Sequence, residues 1–299
     1  MNSAANTYSG FVAVVGRPNV GKSTLLNAIL SRKISITSRK AQTTRFAISG
    51  IKTKGQRQIV YLDTPGYNHQ AKNSLQSHLI EVTRRAISDA DLVVWVVAGS
   101  HFNSADSAIL KVLARSHKPV ISVINKSDLV TESDALNKQL ERIKALLTPI
   151  STFSVSAKYK NGLEELETFI FSQLAPGPWY YDKDQYTDRD AKFLAAEIVR
   201  EKLMRLFGDE LPYQTTVLTD RLVTQNNLMT IDVTIYVERL GQKIIIIGEK
   251  GSALKRIGSL ARVELERLFK HKIMLNLWVK IKTNWTKDAK LLQSLGYNS

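Results

Sequence analysis

One octapeptide constrains this chain more than any other feature. Gly16-Arg17-Pro18-Asn19-Val20-Gly21-Lys22-Ser23 satisfies G-x-x-x-x-G-K-[ST] at every position. It follows an apolar run, FVAVV (Phe11 to Val15), and opens an amphipathic segment, KSTLLNAIL. A strand that feeds a glycine turn and then a helix gathers exposed amides and the positive end of a helix dipole at one point. That point suits phosphate. In such a loop Lys22 reaches β- and γ-phosphates and the Ser23 hydroxyl ligates Mg²⁺. Gly16, Asn19, Val20, Gly21 and Thr24 complete the cradle.

The surrounding pattern supplies the matching architecture. IVYLD (Ile59 to Asp63), DLVVWVV (Asp91 to Val97), PVISVIN (Pro119 to Asn125) and ISTFSVSA (Ile150 to Ala157) read as strands. KSTLLNAIL, SDALNKQLERIKALL (Ser133 to Leu147) and GLEELETFIFSQL (Gly162 to Leu174) carry helical periodicity. Short β-branched runs between helices predict an α/β domain, a mostly parallel sheet with helices on both faces. PGPWYYDKDQYTD, Pro176 to Asp188, then breaks the alternation and reads as linker. Beyond it come a helix near Ala191 to Leu206, the strands TTVLTDRL, MTIDVTIYVE and IMLNLWVKIK, and a terminal helix: an α+β unit. With 299 residues, two domains are expected. Their bounds read 1–177 and 187–299, with 178–186 between them.

Composition narrows the class. The net charge is +15, which favours polyanionic partners, nucleic acid or anionic membrane. The absence of cysteine excludes disulfides and thiolate metal sites, and the five histidines are scattered. The start lacks a secretory pattern and no apolar run approaches about 18 residues, so a cytoplasmic place is expected.

The other loops specify the nucleotide. Asp63-Thr64-Pro65-Gly66 ends one strand; its carboxylate can hold Mg²⁺ through water, and the Gly66 amide can meet the γ-phosphate. Asn125-Lys126-Ser127-Asp128 ends another. Asp128 can accept from guanine N1–H and the 2-amino group, donors that adenine lacks, and a buried carboxylate deprived of them discriminates by about 10⁴-fold or more. Lys126 can lie along the base and Asn125 can tie the loops together. Ser156-Ala157-Lys158 offers backbone to the guanine O6.

With these four motifs in order at strand ends, the first part resembles the Ras-like GTPases of the translation-factor-related class. Its likeness is greatest to the bacterial Era GTPases, including the run KISITSRKAQTTR, Lys33 to Arg45. The resemblance implies GTP/GDP and Mg²⁺ as cofactors, GTP hydrolysis with slow intrinsic turnover, and Thr44 as a switch threonine on Mg²⁺. Metal ligands would then be Ser23, Thr44 and Asp63, and catalytic groups Lys22, Thr44 and Gly66. Read simply as residues, Thr43-Thr44 is also compatible with an ordinary polar loop. Tyr67 stands where Ras-like proteins carry a water-orienting glutamine. Related GTPases with asparagine at the Asn19 position bind K⁺ there, which would stimulate turnover; alternatively Asn19 only braces the loop.

A second glycine loop lies in IIIIGEKGSALKRIG, Ile244 to Gly258. Local propensity makes IIII a strand. Leu254, Ile257, Ala261, Leu265 and Leu268 then give the following helix one apolar face. Between Arg239 and Lys282 stand eleven Lys or Arg against three acids, a balance that suits a nucleic-acid backbone. A helix–turn–helix element with a solvated basic face fits the same residues. From about Thr187 the chain resembles a type-II KH domain, α-β-β-α-α-β. That resemblance turns IIII into the end of a helix, against propensity. It makes Gly248, Glu249, Lys250 and Gly251 the loop that clamps RNA, with Lys255 and Arg256 beside it. A GTPase joined to a KH domain is the Era arrangement. It implies a monomer that binds the 3′ end of small-subunit (16S) ribosomal RNA on the pre-small ribosomal subunit, and it allows peripheral contact with the inner membrane. Three rivals are a switch acting on a membrane or protein, an RNA-binding module whose nucleotide only stabilises the fold, and a GTPase acting on transfer RNA.

Overall fold

A computed structural model describes residues 7–38, 40, 42–67, 71, 73–99, 102–130, 141, 143, 145, 147–208 and 211–297. The chain divides into two compact units. The first holds Met1–Thr37, Thr44–Lys72 and Gln76–Asp188; the second holds Ser38–Thr43, Asn73–Leu75 and Arg189–Ser299.

The first unit is built on one sheet of order β2-β3-β1-β4-β5-β6. Its strands are β1 (Tyr8–Val15), β2 (Ile48–Lys54), β3 (Arg57–Asp63), β4 (Leu92–Ala98), β5 (Val120–Asn125) and β6 (Ser151–Ser154). β1, β3, β4, β5 and β6 are mutually parallel. Every residue of β4 and β5 is buried, as expected for strands covered on both faces. Trp95 sits at 0% exposure among Val93, Val97, Ile109 and Leu113. The helices are α1 (Lys22–Leu30), α2 (Ser74–Asp89), α3 (Ser104–Ser116) and α4 (Leu163–Ser172). The segment read as a helix from Ser133 to Leu147 falls largely outside the described residues.

The antiparallel strand β2 has no counterpart in the sequence reading. It pairs with β3 across a tight turn, and its sequence, ISGIKTK, offers no β-branched run. Gly50 interrupts it, because Leu30 and Ile34 press there: a Cβ would meet their methyls at 2.6 and 2.7 Å. Residues 178–186, read as linker, lie along the same edge. Tyr180 and Tyr181 amides donate to Gln58 Oε1 at 2.9 and 3.0 Å, and Tyr180 meets Phe11 at 4.5 Å between centroids. A two-residue strand, β7 (Ala175–Pro176), pairs with the start of β1.

The second unit follows the order α5 (Ala191–Leu206), β8 (Thr215–Gln225), β9 (Leu228–Val237), α6 (Leu240–Ile247), α7 (Ser252–Phe269), β10 (Lys272–Ile281) and α8 (Ala289–Ser294). Its sheet runs β10-β9-β8, with β9–β10 parallel and β8–β9 antiparallel. Ile231, Val233 and Ile235 meet Ile257, Ala261 and Leu265 of α7, all at 0% exposure. Arg200 of α5, gripped by Glu197 at 2.6 Å, donates to the Thr43 carbonyl.

The four isoleucines are helical, so tertiary packing overrides β propensity here. The reason is quantitative. Isoleucine in a helix costs a few tenths of a kcal/mol against alanine. Burying Ile246, at 0% exposure, returns about 2 kcal/mol. Gln242 starts the helix by accepting the Glu238 and Arg239 amides at 2.9 and 3.0 Å, and Gly248 ends it. Ile246→Ala is expected to cost about 2–4 kcal/mol in urea unfolding followed by circular dichroism. Ile244→Ala, at a position 61% exposed, is expected to change it by less than about 0.5 kcal/mol.

Candidate functional site

The four motif loops come together at the carboxyl ends of β1, β3, β5 and β6, the crevice in which open α/β sheets bind ligands. β1 ends at Val15, and the loop from Gly16 turns into α1 at Lys22. Lys22 Nζ donates to the carbonyls of Gly16 at 3.0 Å and Arg17 at 3.1 Å. The ammonium is thus held over the loop it is expected to serve. Burial lowers its pKa to about 8, opposed by Asp63 and reinforced by Arg17.

Ser23 is the junction of the site. Its hydroxyl donates to Asp63 Oδ2 at 2.8 Å and lies 2.9 Å from Thr44 Oγ1. The three expected metal ligands, from α1, β3 and the loop before β2, therefore converge. Asp63 is fully buried, and burial raises its carboxyl pKa against the opposing pull of Lys22. Two hydroxyls and a carboxylate form a hard oxygen set that fits Mg²⁺. Thr64 Oγ1 anchors the next loop by donating to the Val14 carbonyl at 2.8 Å. Gly66 lies against the phosphate loop; a Cβ on it would stand 2.7 Å from Pro18 Cα.

Asn125 bridges three loops. Its Nδ2 donates to the Val20 carbonyl at 2.9 Å, and its Oδ1 accepts from the amides of Lys126 at 2.8 Å and Ala157 at 3.0 Å. Lys126 Nζ donates to the Asn19 carbonyl at 2.6 Å; burial, then Arg17, lowers its pKa. The buried Ser156 donates to Asp128 Oδ1 at 2.5 Å. Asp128 departs from the expected buried carboxylate. It is exposed, projecting from a 3₁₀ turn, Ser127–Leu129, at the end of β5. Only a base laid on this turn would desolvate it. Lys158 is also exposed, its ammonium 2.9 Å from the Tyr159 hydroxyl. Thr24 is half-buried in the first turn of α1, and Asn19 is exposed.

One residue of the site escaped the sequence reading. Asp106, at 0% exposure, pairs with Arg17 Nε at 2.9 Å and so braces the phosphate loop from α3. It also accepts the Asn103 amide at 3.0 Å, completing a capping box with Asn103. The N-x-x-D spacing before an apolar helix was its available signal. Tyr67 is 4% exposed in the core beside Trp95. It is a packing residue there and carries no amide to orient water.

In the second unit the glycine loop is a turn between two helices. Gly248 adopts φ 71°, and a Cβ there would meet the Ala253 nitrogen at 2.9 Å. Glu249–Gly251 forms one 3₁₀ turn, and α7 starts at Ser252 with its amides facing the loop. Glu249, Lys250, Lys255 and Arg256 are all exposed. Beside the loop Ile244 and Ile245 are 61% and 55% exposed, an apolar shelf on which a base can rest.

A phosphate loop with an Mg²⁺-type ligand set and a guanine-type loop defines the first unit as a P-loop GTPase. The second, with a GxxG turn between helices over a three-stranded sheet, is a KH domain. Residues 11–126 match the family model for the 50S ribosome-binding GTPase, and residues 210–286 match that for the KH domain. The GTPase Era of Pseudomonas savastanoi is 46% identical over 99% of both chains. That of Haemophilus influenzae is 45% identical over 97% of both. A solved Aquifex aeolicus Era variant bound to GDP·AlF₄⁻ superposes with TM-score 0.94 at 35% identity, covering 98% of this chain and 100% of that one. An Era complex with MgGDPNP and nucleotides 1506–1542 of 16S ribosomal RNA gives 0.92 at the same identity and coverage. The chain belongs to the Era family of GTPases.

Two predictions follow the geometry. On the phosphate-loop reading Lys22 meets the phosphates as an ammonium, and its pKa in the free protein is lowered to about 8. Above that pH the free protein must take up a proton to bind, so nucleotide affinity falls between about pH 8 and 10, by up to tenfold per unit. Calorimetry in buffers of different ionisation heat reads the uptake; flat affinity across that window contradicts it. Asp106→Ala leaves the Arg17 guanidinium without its buried partner and should destabilise the first unit by about 3 kcal/mol in urea unfolding.

Proposed function

We infer that this protein is a GTP-hydrolysing switch that binds the 3′ end of 16S ribosomal RNA and acts in small-subunit assembly. The observation that carries the reading is one chain holding both a complete GTP loop set and an exposed GxxG turn with Lys255 and Arg256 exposed beside it. The solved Era complex with 16S nucleotides supports the choice of RNA.

The reaction transfers the γ-phosphoryl group of GTP to water, giving GDP and phosphate. Lys22 and the loop amides stabilise charge on the transferring group. Ser23, Thr44 and Asp63 hold Mg²⁺, Thr44 and Gly66 sense the γ-phosphate, and no side-chain general base is assigned. Lys22→Ala should lower turnover by about 10²- to 10³-fold. Asn19 is exposed at the mouth of the loop; K⁺ held there would supply the charge that an arginine finger supplies elsewhere. Turnover in potassium should then exceed turnover in sodium, and equal rates exclude the role.

Coupling between nucleotide and RNA can pass along the chain itself. Thr43 groups with the second unit and Thr44 with the first, and Thr44 touches Ser23. GTP orders the Thr44 loop and hydrolysis releases it. The domain boundary in this reading falls after Asp188, and the site of action is the cytoplasm. Among the described residues no helix is long and apolar enough to cross a membrane.

Binding of labelled 16S 3′ RNA should differ among the GTP-analogue, GDP and empty forms. It should be lost in the Gly248→Asp, Gly251→Asp double variant, which puts anions in the clamp. Binding indifferent to both changes would reduce the interaction to bulk charge.

A further inference from the structure

Three consecutive residues shortly after α1, Ile34, Ser35 and Ile36, are buried without belonging to a helix or a strand. Buried irregular backbone must find partners for its polar groups. Asn27 of α1 supplies them. Its Oδ1 accepts from the Ile34 and Ser35 amides at 3.0 and 3.1 Å, and its Nδ2 donates to the Ser35 carbonyl at 2.7 Å. The isoleucines on either side are 3% exposed, so apolar packing holds the segment as well. Ser35 is thereby fixed in place at 0% exposure.

The fixed hydroxyl lies close to Asp63. Burial raises the Asp63 carboxyl pKa, and Lys22, Ser23, Ser35 and Thr44 oppose the rise. Ser23 and Thr44 are the other expected metal ligands; Ser35 is not among them. Ser23 donates to Asp63 Oδ2. Asp63 Oδ1 and Ser35 Oγ are both buried, and neither has a hydrogen-bond partner among the described residues. Unpaired polar oxygens in a buried corner are costly. An alanine at position 35 would fill nearly the same space and leave no hydroxyl to satisfy. Packing therefore does not account for the serine. Its place does, beside the point where Ser23, Thr44 and Asp63 converge.

Bound Mg²⁺ usually keeps several waters, and the groups outside its ligand shell that hold those waters and ligands tune its affinity. A metal-held water has two hydrogens to give, and a carboxylate oxygen and a hydroxyl can both accept. Resting on the reading of Ser23, Thr44 and Asp63 as metal ligands, we propose that Ser35 is a positioning residue for Mg²⁺. Its Oγ and Asp63 Oδ1 accept the hydrogens of a metal-held water, and Asn27 keeps Ser35 in place for that role.

The test uses the full chain with a non-hydrolysable GTP analogue, and Mn²⁺ as a spin-active substitute for Mg²⁺. Electron paramagnetic resonance reads the metal affinity, and fluorescence reads nucleotide affinity in Mg²⁺ and in EDTA. Ser35→Ala should weaken Mn²⁺ in the nucleotide complex by about 10- to 100-fold. Its nucleotide affinity in EDTA and its metal-free thermal melting should stay unchanged, because the hydroxyl is engaged only through the metal. Raising Mg²⁺ in proportion should restore GTP turnover. Equal Mn²⁺ affinity in Ser35→Ala and the unaltered protein overturns the proposal. A lower metal-free melting temperature, or weaker nucleotide binding in EDTA, makes the hydroxyl structural and overturns it as well. Ser23→Ala checks the reading beneath: if it leaves Mn²⁺ affinity unchanged, the ligand assignment itself fails, whatever Ser35 does.

Discussion

The GTPase unit depends on a hydroxyl. Ser23 Oγ stands between Asp63 at 2.8 Å and Thr44 at 2.9 Å, and those partners arrive from separate parts of the chain. A buried carboxylate is costly unless it is paired or binds metal. Asp63 meets that condition only because α1 delivers Ser23 to the end of β3 and Lys22 adds its charge nearby. The parallel sheet is the device that makes this possible. Adjacent strands with a common direction end side by side, so loops distant in sequence open into one crevice. Asn125 performs the matching task on the base side, fastening three loops with one amide.

The second unit rests on a different constraint, the geometry of Gly248. A positive φ and a Cβ-free approach to Ala253 let one helix stop and the next begin within a single turn. The chain there keeps its amides and cations outward while Ile246 and Ile257 close the core below. A stable platform and an accessible loop thus come from the same short stretch. On the proposed reading, nucleotide state and RNA affinity are linked because Thr43 and Thr44, adjacent in the chain, belong to different units.

Much of this was legible in the sequence because the signals were local. The phosphate loop lies at its expected place between β1 and α1, and the span read as a long helix, Ala191 to Leu206, is α5. What was not legible depended on tertiary partners. β2 carries a glycine because Leu30 and Ile34 crowd it, and neither residue is near it in sequence. The aromatic stretch after Pro178 looked like linker because its partner, Gln58, lies more than a hundred residues earlier. The isoleucine run would be a strand by propensity alone; the KH pattern placed it in a helix, and burial of Ile246 shows why. Asp106 was passed over because a capping residue and a loop brace look alike until the fold brings Arg17 to it.

The central claim is that one free-energy linkage joins the GTP site to RNA. Its most direct measurement is the affinity for a non-hydrolysable GTP analogue with and without saturating 16S 3′ RNA, set beside the RNA affinity with and without the analogue. Thermodynamic linkage requires the same factor in both directions. The account predicts a factor of about 5 or more, equal in the two titrations. A factor of one in both would show two independent sites on one chain and contradict the switch.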